Sequence, residues 1–443
     1  MTALRIGLLG HVGNGNLGDE ALIGSVIENI RRLRPDAEII GFTIRPADTE
    51  RRHGIPAFPL RKLEAGDSGP DMPQVRLEGP TAQPGRLRRW LRSVPLAYRI
   101  LRSLYYGLRV AVSIPGEIVF LAASARRLRG IDCLLVCGSQ QLIDVTQGGA
   151  WGAPYTLFKW SRLARHTGTK FVLLSVGAGP LHTGLSRWFI RRTLASAVYR
   201  SFRDPRSVAF VQSLSAPEPN HLVPDLVFSL SLPPVTPPPD RRALRIGVNP
   251  LPFAHGAYWY DDDATAYRQY VDRLAELVIQ LGEHGHEVVL YATQLNSDPA
   301  VMADVAERVR ALGGAVELAK IDSQQQLVAA IDTFDLTVAT RYHGIVFSLV
   351  RHRPCVAIAY HGKSRDLMAL VGLPEFAVDV DEMSSEALAR GVLALADDRV
   401  AAAARIRERL PAIRTALLAQ YRQVVPGPFS GQTDEPVARL LLG

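Results

Sequence analysis

The stretch Asp335-Leu-Thr-Val-Ala-Thr340-Arg341-Tyr342-His343-Gly344, continued by the apolar Ile345 to Val350 and by Pro354-Cys-Val-Ala-Ile-Ala-Tyr360, decides the fold class. Asp335 to Thr340 is an apolar run of strand length, Gly344 to Val350 reads as the first turns of an apolar helix, and Pro354 to Tyr360 is the next strand. A strand, a crossover helix and a second strand make a parallel pair, and the turns that follow its strands share the carboxyl edge of the sheet, where ligands bind. Arg341 and His343 therefore share one turn. Lys363, in His361-Gly362-Lys363-Ser364-Arg365, falls on the turn beside it. Taken singly, these residues have a plainer reading, in which His343 caps a helix and the two cations are solvated. Together, a guanidinium fork, a titratable imidazole and an ammonium converge at helix N-termini, and that set suits a phosphorylated anion.

The same alternation runs outward in both directions. Leu244 to Asn249, Glu287 to Tyr291, Asp335 to Thr340 and Cys355 to Tyr360 read as strands, with helical stretches at 264–284, 298–312 and 344–352. Earlier in the chain, Arg5 to Gly10, a helix from Ala21 to Leu33 and a strand from Glu38 to Phe42 open a βαβ unit. Strand-then-loop pairs recur at Cys133 to Cys137, Phe171 to Val176 and Tyr199 to Phe202. At 443 residues the chain exceeds the size at which one core stops growing. The expected fold is α/β, with two doubly wound Rossmann-like domains facing a cleft. The division expected is 1–232 for an N-terminal domain, 233–240 for a stiff proline-rich linker, and 241–443 for a C-terminal domain that carries the phosphate-binding turns. Residues 60–130 read as an insertion into the first.

Composition narrows the function. The chain is 47% hydrophobic and 21% charged, ordinary globular material. Its three cysteines, Cys133, Cys137 and Cys355, are too few for a disulfide framework and lack the further ligands of a zinc site. Met1 to Gly10 is too short for the apolar region of a signal peptide, and the longest apolar stretch, Val110 to Ala125, is broken by Pro115, Gly116 and Glu117. A cytoplasmic protein is expected. Between Arg86 and Arg129 ten arginines stand against one acid, Glu117, and they alternate with Trp90, Leu91, Tyr98, Leu101 and Tyr105. That composition suits a helical segment lying on an anionic membrane, so a peripheral place at the inner membrane face is expected. The plainer reading packs these helices on the first domain with their arginines solvated. No groove-reading motif accompanies the basic run, which argues against nucleic acid.

Three further constellations bear on chemistry. Gly13-x-Gly15-x-x-Gly18 has dinucleotide spacing, but Asn14, Asn16 and Asp19-Glu20 stand where a pyrophosphate would sit, and Thr43-Ile44-Arg45 lacks the acid that holds a ribose. A nicotinamide cofactor is thereby disfavoured. Asn14, Asn16 and Asp19 are instead candidates to meet the hydroxyls of a sugar; the alternative is a helix start with Asp19 near the positive end of the dipole. Arg203-Asp204 follows an apolar strand, so Arg203 is a candidate second fork for carboxylate or phosphate, or a local ion pair with Asp204, with Ser207 capping the helix toward Val211. Asp261-Asp262-Asp263 after Tyr258-Trp259-Tyr260 reads as a sugar-stacking loop or a helix N-terminus. No carboxylate triad for a metal and no Ser-His-Asp order is present.

With these residues in hand, the chain resembles the polysaccharide pyruvyl transferase family. Gly13 to Glu20, Gly138-Ser-Gln-Gln-Leu-Ile-Asp144, Gly177-Ala-Gly-Pro-Leu181, Arg203-Asp-Pro-Arg-Ser207, Pro224-Asp225 and Arg341-Tyr-His-Gly344 occur in the family's order, and Pro354 to Pro374 continues the match. Cys137-Gly138 stands where the family usually shows a glycine pair, and 60–130 is longer and more basic than the family minimum. The resemblance implies a GT-B-like fold and transfer of a pyruvyl group from phosphoenolpyruvate to a sugar diol as a cyclic ketal, without cofactor or metal. It also implies that Arg341 and His343 contact phosphoenolpyruvate, that Lys363 and Arg203 assist, and that the N-terminal loop faces a polysaccharide or glycolipid precursor. The chemistry suits the residues: His343, tuned near neutrality, is the acid for the enol carbon, and the cations hold the departing phosphate. Two other readings remain open at this level. One is a GT-B glycosyltransferase using a nucleotide-sugar, and the other a non-catalytic membrane-surface scaffold.

Overall fold

The computed structural model describes residues 4–13, 15–62, 114–144, 149–235, 242–255 and 263–425. Asn14, most of the basic 86–129 segment, the linker beyond 235 and the Tyr258-Trp259-Tyr260-Asp261-Asp262 loop lie outside these residues. The first sheet contains β1 (Arg5–Gly10), β2 (Glu38–Thr43), β3 (Ala57–Pro59), β4 (Cys133–Cys137), β5 (Gln140–Leu142), β6 (Lys170–Ala178), β7 (Tyr199–Phe202) and β8 (His221–Leu222). Their order is β3-β2-β1-β4-β6-β7-β8, with β5 beside β6. The second contains β9 (Arg245–Asn249), β10 (Glu287–Leu290), β11 (Glu317–Leu318), β12 (Leu336–Ala339), β13 (Cys355–Ala359) and β14 (Ala377–Asp379), in the order β11-β10-β9-β12-β13-β14.

The pairing of β1 with β4, and of β9 with β12, is parallel. Central strands of such sheets are buried on both faces, which is why Cys133-Leu-Leu-Val-Cys137, Leu336-Thr-Val-Ala339 and Cys355-Val-Ala-Ile-Ala359 run without polar alternation. In β1, Leu8 and Leu9 point into different cores, one on each side of the sheet. Each sheet is wound outward from its middle and then back to the other side. The direction therefore reverses between β1 and β4 and again between β9 and β12, leaving a crevice beyond the carboxyl ends of both pairs. The doubly wound α/β arrangement expected from the sequence is the one found.

The two crevices face each other and are joined. Leu17 N donates to Thr293 O at 2.9 Å, and Leu295 N donates to Gly15 O at 2.8 Å, so the loop after β1 pairs with the segment after β10. Asn16 and Gln294 form an isolated antiparallel bridge there.

Some local expectations shift. The helix expected from Gly344 begins at Tyr342, because Arg341 takes an extended backbone at φ −69° and ψ 130° and stands as the residue before the helix (Tyr342–Val350). Asp204, not Ser207, caps the Pro205–Ser213 helix, accepting from Ser207 N at 2.7 Å. Asp263 accepts from Thr265 N and Ala266 N and starts the Ala264–Glu283 helix, the plainer of the two readings of that acidic run.

The C-terminal portion departs further from the expected division. The last helix, Arg399–Val424, leaves the second domain and ends on the first. Gln420 Oε1 accepts from Ser201 Oγ at 2.5 Å and from Tyr199 Oη at 3.4 Å, while Gln420 Nε2 donates to Ser175 Oγ at 3.3 Å. Ile413, Leu417 and Tyr421 share one buried core with Leu22 and Val26 of the first domain and Val350 and Val356 of the second. The range 241–443 is thus not one self-contained unit, because the apolar face of this helix is satisfied only across the boundary. No described helix is long and apolar enough to cross a membrane.

Candidate active site

A cavity of about 130 Å³ lies where the two crevices meet. Asp19, Gln140 and Arg203 line it from the first domain, and Arg341, His343 and Lys363 from the second.

His343 is the second residue of the Tyr342–Val350 helix, 9% exposed, and its Nε2 is buried without a hydrogen-bond partner. A side chain at Gly18 would lie inside the van der Waals envelope of the imidazole, so glycine at 18 lets the helix Leu17–Leu33 of the first domain press against a residue of the second. Burial pushes His343 down to about 4; Asp225 opposes this, while Arg203, Lys363 and Arg341 add to it. The tuning near neutrality expected from the sequence is thus displaced, because burial favours the neutral imidazole.

Asp19 stands in the first turn of the Leu17–Leu33 helix, 8% exposed, with Oδ1 unpartnered. Burial pushes it up to about 7, against a hydrogen bond from Ser139; Glu20 and Asp225 raise it and Arg203 lowers it. Ser139 reaches it because β4 ends in a turn with positive φ at both Gly138 (48°) and Ser139 (59°), a backbone that costs a serine energy and occurs where function requires it. Two titratable groups from opposite domains thus share one cavity, with Asp19 displaced toward protonation and His343 away from it.

Asp225 and Asp298, which the sequence reading did not assign to the cations, help to position them, and Asp204 lies by Arg203 as that reading allowed. Arg203 donates through Nη2 to Gln140 Oε1 at 2.7 Å and through Nη1 to Asp225 Oδ2 at 3.3 Å, with Asp204 Oδ2 at 3.7 Å from Nε. Its guanidinium lies 4.3 Å from the centre of the Tyr342 ring, and Nε has no hydrogen bond. Arg341 donates through Nη2 and Nε to Asp298 Oδ1 at 2.6 and 2.9 Å and through Nη2 to Ser297 Oγ at 2.7 Å. Asp298, fully buried at the start of the Asp298–Ala311 helix, also accepts from Thr293 N and Gln294 N. Lys363, second in the Gly362–Leu370 helix, sits 5.5 Å from the ring centres of both Tyr342 and Tyr360, and burial lowers its pKa.

All the cations expected at the site therefore converge. Asn16 lines the cavity too, but its Oδ1 is occupied as the helix cap, accepting from Gly18 N and Asp19 N at 3.0 and 3.4 Å, which leaves only its amide NH₂ for a ligand. Asn14 lies outside the described residues. Sequence reasoning missed Gln140 and the positioning acids Asp225 and Asp298. The signal for Asp298 was its place opening a helix in Ser297-Asp298-Pro299, on the crevice edge of the second sheet. Among the described residues no group of three or more His, Cys, Asp or Glu is placed to hold a metal ion.

Comparison with solved structures shows the same architecture at low identity. The UDP-bound MnaA of S. aureus superposes with a TM-score of 0.54 at 10% identity, over 98% of this chain and 99% of that one. The UDP-GlcNAc 2-epimerase of Neisseria meningitidis gives 0.52 at 10% identity, over 94% and 97%. Anabaena Alr3699/HepE in complex with UDP gives 0.51 at 13% identity, over 94% and 99%. These likenesses establish the GT-B arrangement of two Rossmann-like domains. No curated protein matches the chain by sequence. A sequence model of the polysaccharide pyruvyl transferases matches residues 16–362, a span that takes in Asp19, Arg203, Arg341 and His343 from both walls of the cavity, and the chain belongs to that family.

Proposed function

We propose that the protein transfers a pyruvyl group from phosphoenolpyruvate to two hydroxyls of a sugar in a polysaccharide or glycolipid precursor, forming a cyclic ketal and releasing phosphate. The observation that carries this reading is the set of buried, unpartnered polar atoms Asp19 Oδ1, Arg203 Nε and His343 Nε2 around one small cavity that Arg341 and Lys363 also line. Buried polar atoms normally have partners; a compact anion with carboxylate and phosphate accepts from Arg203 Nε and from a protonated His343 Nε2, while Asp19 Oδ1 is left to accept from a hydroxyl.

In the proposed reaction, His343 Nε2 gives a proton to C3 of the enol, C2 becomes electrophilic, and the first acceptor hydroxyl adds to it while Asp19 takes the hydroxyl proton. The C2–O bond to phosphate then breaks and the second hydroxyl closes the ring. One acceptor proton replaces the one spent on C3, now a methyl, and the other leaves with phosphate. The atoms balance without a redox cofactor or metal. Arg203 and Lys363 stabilise the charge that grows on the departing phosphate, while Asp298 holds Arg341 in place to orient the carboxylate. Burial favours the neutral imidazole of His343, and a bound trianion offsets the field of Arg203, Lys363 and Arg341 that adds to this. Donor binding thus draws a proton onto the imidazole, and Asp19 supplies one from across the cavity.

The neighbours that bind UDP give the nucleotide-sugar reading its weight. Against it stand the cations Arg203 and Lys363 around a cavity of about 130 Å³, a lining that suits a compact anion. Phosphoenolpyruvate should raise the melting temperature and UDP- or GDP-sugars should not. His343→Ala should slow phosphate release in the presence of acceptor by about 10²–10⁴-fold without unfolding the chain. A normal rate in that variant would remove the assignment of His343 as the acid, and no phosphate release by the wild type would leave the scaffold. Association with the inner membrane face is part of the same proposal, since it brings the enzyme to a lipid-linked acceptor. It rests on the basic 86–129 segment, whose described portion, a helix over 114–128, exposes Ile114, Ile118 and Val119.

A further inference from the structure

We propose that the protein carries a second, non-catalytic binding site for a phosphate or diphosphate group borne on an apolar body, in the cavity behind the hinge between its two domains. This cavity has a volume of about 1100 Å³, far larger than the catalytic one, and falls in the range of pockets that hold whole nucleotides or lipid headgroups. It lies at the opposite edge of the second sheet. Asp335, before β12, lines it, whereas Arg341, after β12, belongs to the catalytic cavity; the strand between puts about 13 Å between the two edges. Its other walls are the end of the Leu17–Leu33 helix, the segment 229–235 that leads into the linker, the turn between the Tyr342–Val350 helix and β13, and the last helix.

The charge on these walls is nearly all of one sign. Arg32, Arg351, Arg353, Arg399, Arg407 and Arg414 line the cavity against a single carboxylate, Asp335. Two of these arginines are structural: Arg351 grips Asp332 and the carbonyls of Pro233 and Pro234, and Arg353 donates to the carbonyls of Ile331 and Asp332. Three others rest on neutral oxygens. Arg32 donates to Ser231 Oγ at 3.0 Å, Arg407 to Ala403 O at 3.2 Å and Arg414 to Phe228 O at 3.3 Å. Among the described residues each uses one nitrogen in this way, which leaves most of each fork for another acceptor. His352 sits among them in a left-handed conformation at φ 57°, and after burial itself, Arg414, Arg407, Arg351 and Arg353 are what hold its pKa below the ordinary value. Four guanidinium groups thus act on one ring, and planar forks are the groups that bind phosphate oxygens in pairs. Leu232, Val350, Val400 and Leu418 supply the apolar part of the wall, so the fitting ligand is amphiphilic rather than a bare ion.

The shared chemistry could come from a lipid-linked diphosphate or a nucleotide. Titration calorimetry on the full chain with farnesyl diphosphate, ADP and inorganic diphosphate separates them: the tighter of farnesyl diphosphate and ADP names the source, and tightest binding of inorganic diphosphate overturns the amphiphilic ligand. In each case the Arg407→Ala/Arg414→Ala variant should bind at least about tenfold more weakly, the loss expected from charged hydrogen bonds, while Lys363→Ala binds as the wild type does. Arg407→Lys/Arg414→Lys, which keeps charge without the fork, should recover part of the affinity and guards against a folding defect; Arg32→Ala provides an independent weakening from another wall. Phosphoenolpyruvate should protect the Arg407→Ala/Arg414→Ala variant against heat as it protects the wild type. The proposal is overturned if none of the three probes binds at about 1 mM, or if their binding survives the double arginine change and disappears with Lys363→Ala, which would put them in the catalytic cleft.

Discussion

Asp19 and His343 are displaced in opposite directions by the same burial, and the consequences differ in sign. Asp19, raised to about 7, binds a proton in the folded state that the unfolded chain releases near the ordinary carboxylate value, so its contribution to stability is present at low pH and is lost as pH rises from about 4 through 7. His343, lowered to about 4, acts the other way, and stability is lost as pH falls from about 6.5 toward 4. Asp19→Asn removes only the first effect. Its melting temperature should exceed that of the wild type by more at pH 8 than at pH 5, and an equal difference at both would mean that Asp19 does not titrate there. The same carboxylate opposes a trianionic donor once ionised. Phosphoenolpyruvate should therefore bind the wild type more weakly at pH 8 than at pH 6, as read by thermal shift, with the dependence flattened in Asp19→Asn. The candidate cations were legible in the sequence because they stand at the ends of apolar strands. Their partner acids Asp225 and Asp298 were not, since each meets its arginine from a separate stretch of chain.

Between elements, the decisive contact is the start of one helix against the start of another. Gly18, in the first turn of the Leu17–Leu33 helix, packs against the imidazole of His343 in the Tyr342–Val350 helix, and the next residue, Asp19, lines the same cavity as the ring. Gly18→Ala leaves the helix propensity better and the packing worse. The variant should keep its helical circular dichroism yet lose about 10²-fold in turnover, because a displacement of about 1 Å at the reacting group has that effect. Full activity would show that the imidazole has room to move and that its position is not set by this helix. Element types were read correctly from periodicity, while caps slipped by a few residues. Asp204 and Ser207 both have the chemistry to cap the Pro205–Ser213 helix, and only the backbone conformation of Asp204 chooses between them.

At the scale of the whole molecule, the last helix ties the two domains together from behind. Gln420 satisfies Ser175, Tyr199 and Ser201 in a buried patch of the first domain. Gln420→Ala leaves those hydroxyls without this partner and should destabilise the protein by about 1–3 kcal/mol, measured by urea unfolding. A change within error would mean that water replaces the amide. The exposed apolar face lies on the opposite flank. Val119 is 70% exposed and Ile118 60%, and Glu117 of the same helix accepts from Tyr155 and Lys159 of the neighbouring Ala153–Thr167 helix. Beyond it Trp151 and Trp188 are half exposed around Phe189, with Arg192 over Trp188. Tryptophan beside arginine suits a lipid headgroup region. Sedimentation with vesicles of rising anionic content should show salt-sensitive binding that Ile118→Ser/Val119→Ser and Trp151→Ala/Trp188→Ala each weaken; no binding at low salt would leave this face merely solvated.

The amino-acid sequence by itself determined the alternation of strand and helix, the winding of two α/β domains and the placing of Arg341, His343 and Lys363 on adjacent turns. These follow from short-range rules, because side-chain period and the residues that end an element act within a few positions of one another. What only the tertiary structure decided is which distant groups meet. Asp19 and His343 lie more than three hundred residues apart in the chain, Arg203 and Lys363 reach Tyr342 from different domains, and Gln420 returns to strands laid down two hundred residues earlier. The displaced titrations of Asp19 and His343 belong to this second class, since loss of water sets them, and no local pattern records how completely a folded neighbour removes water from a side chain.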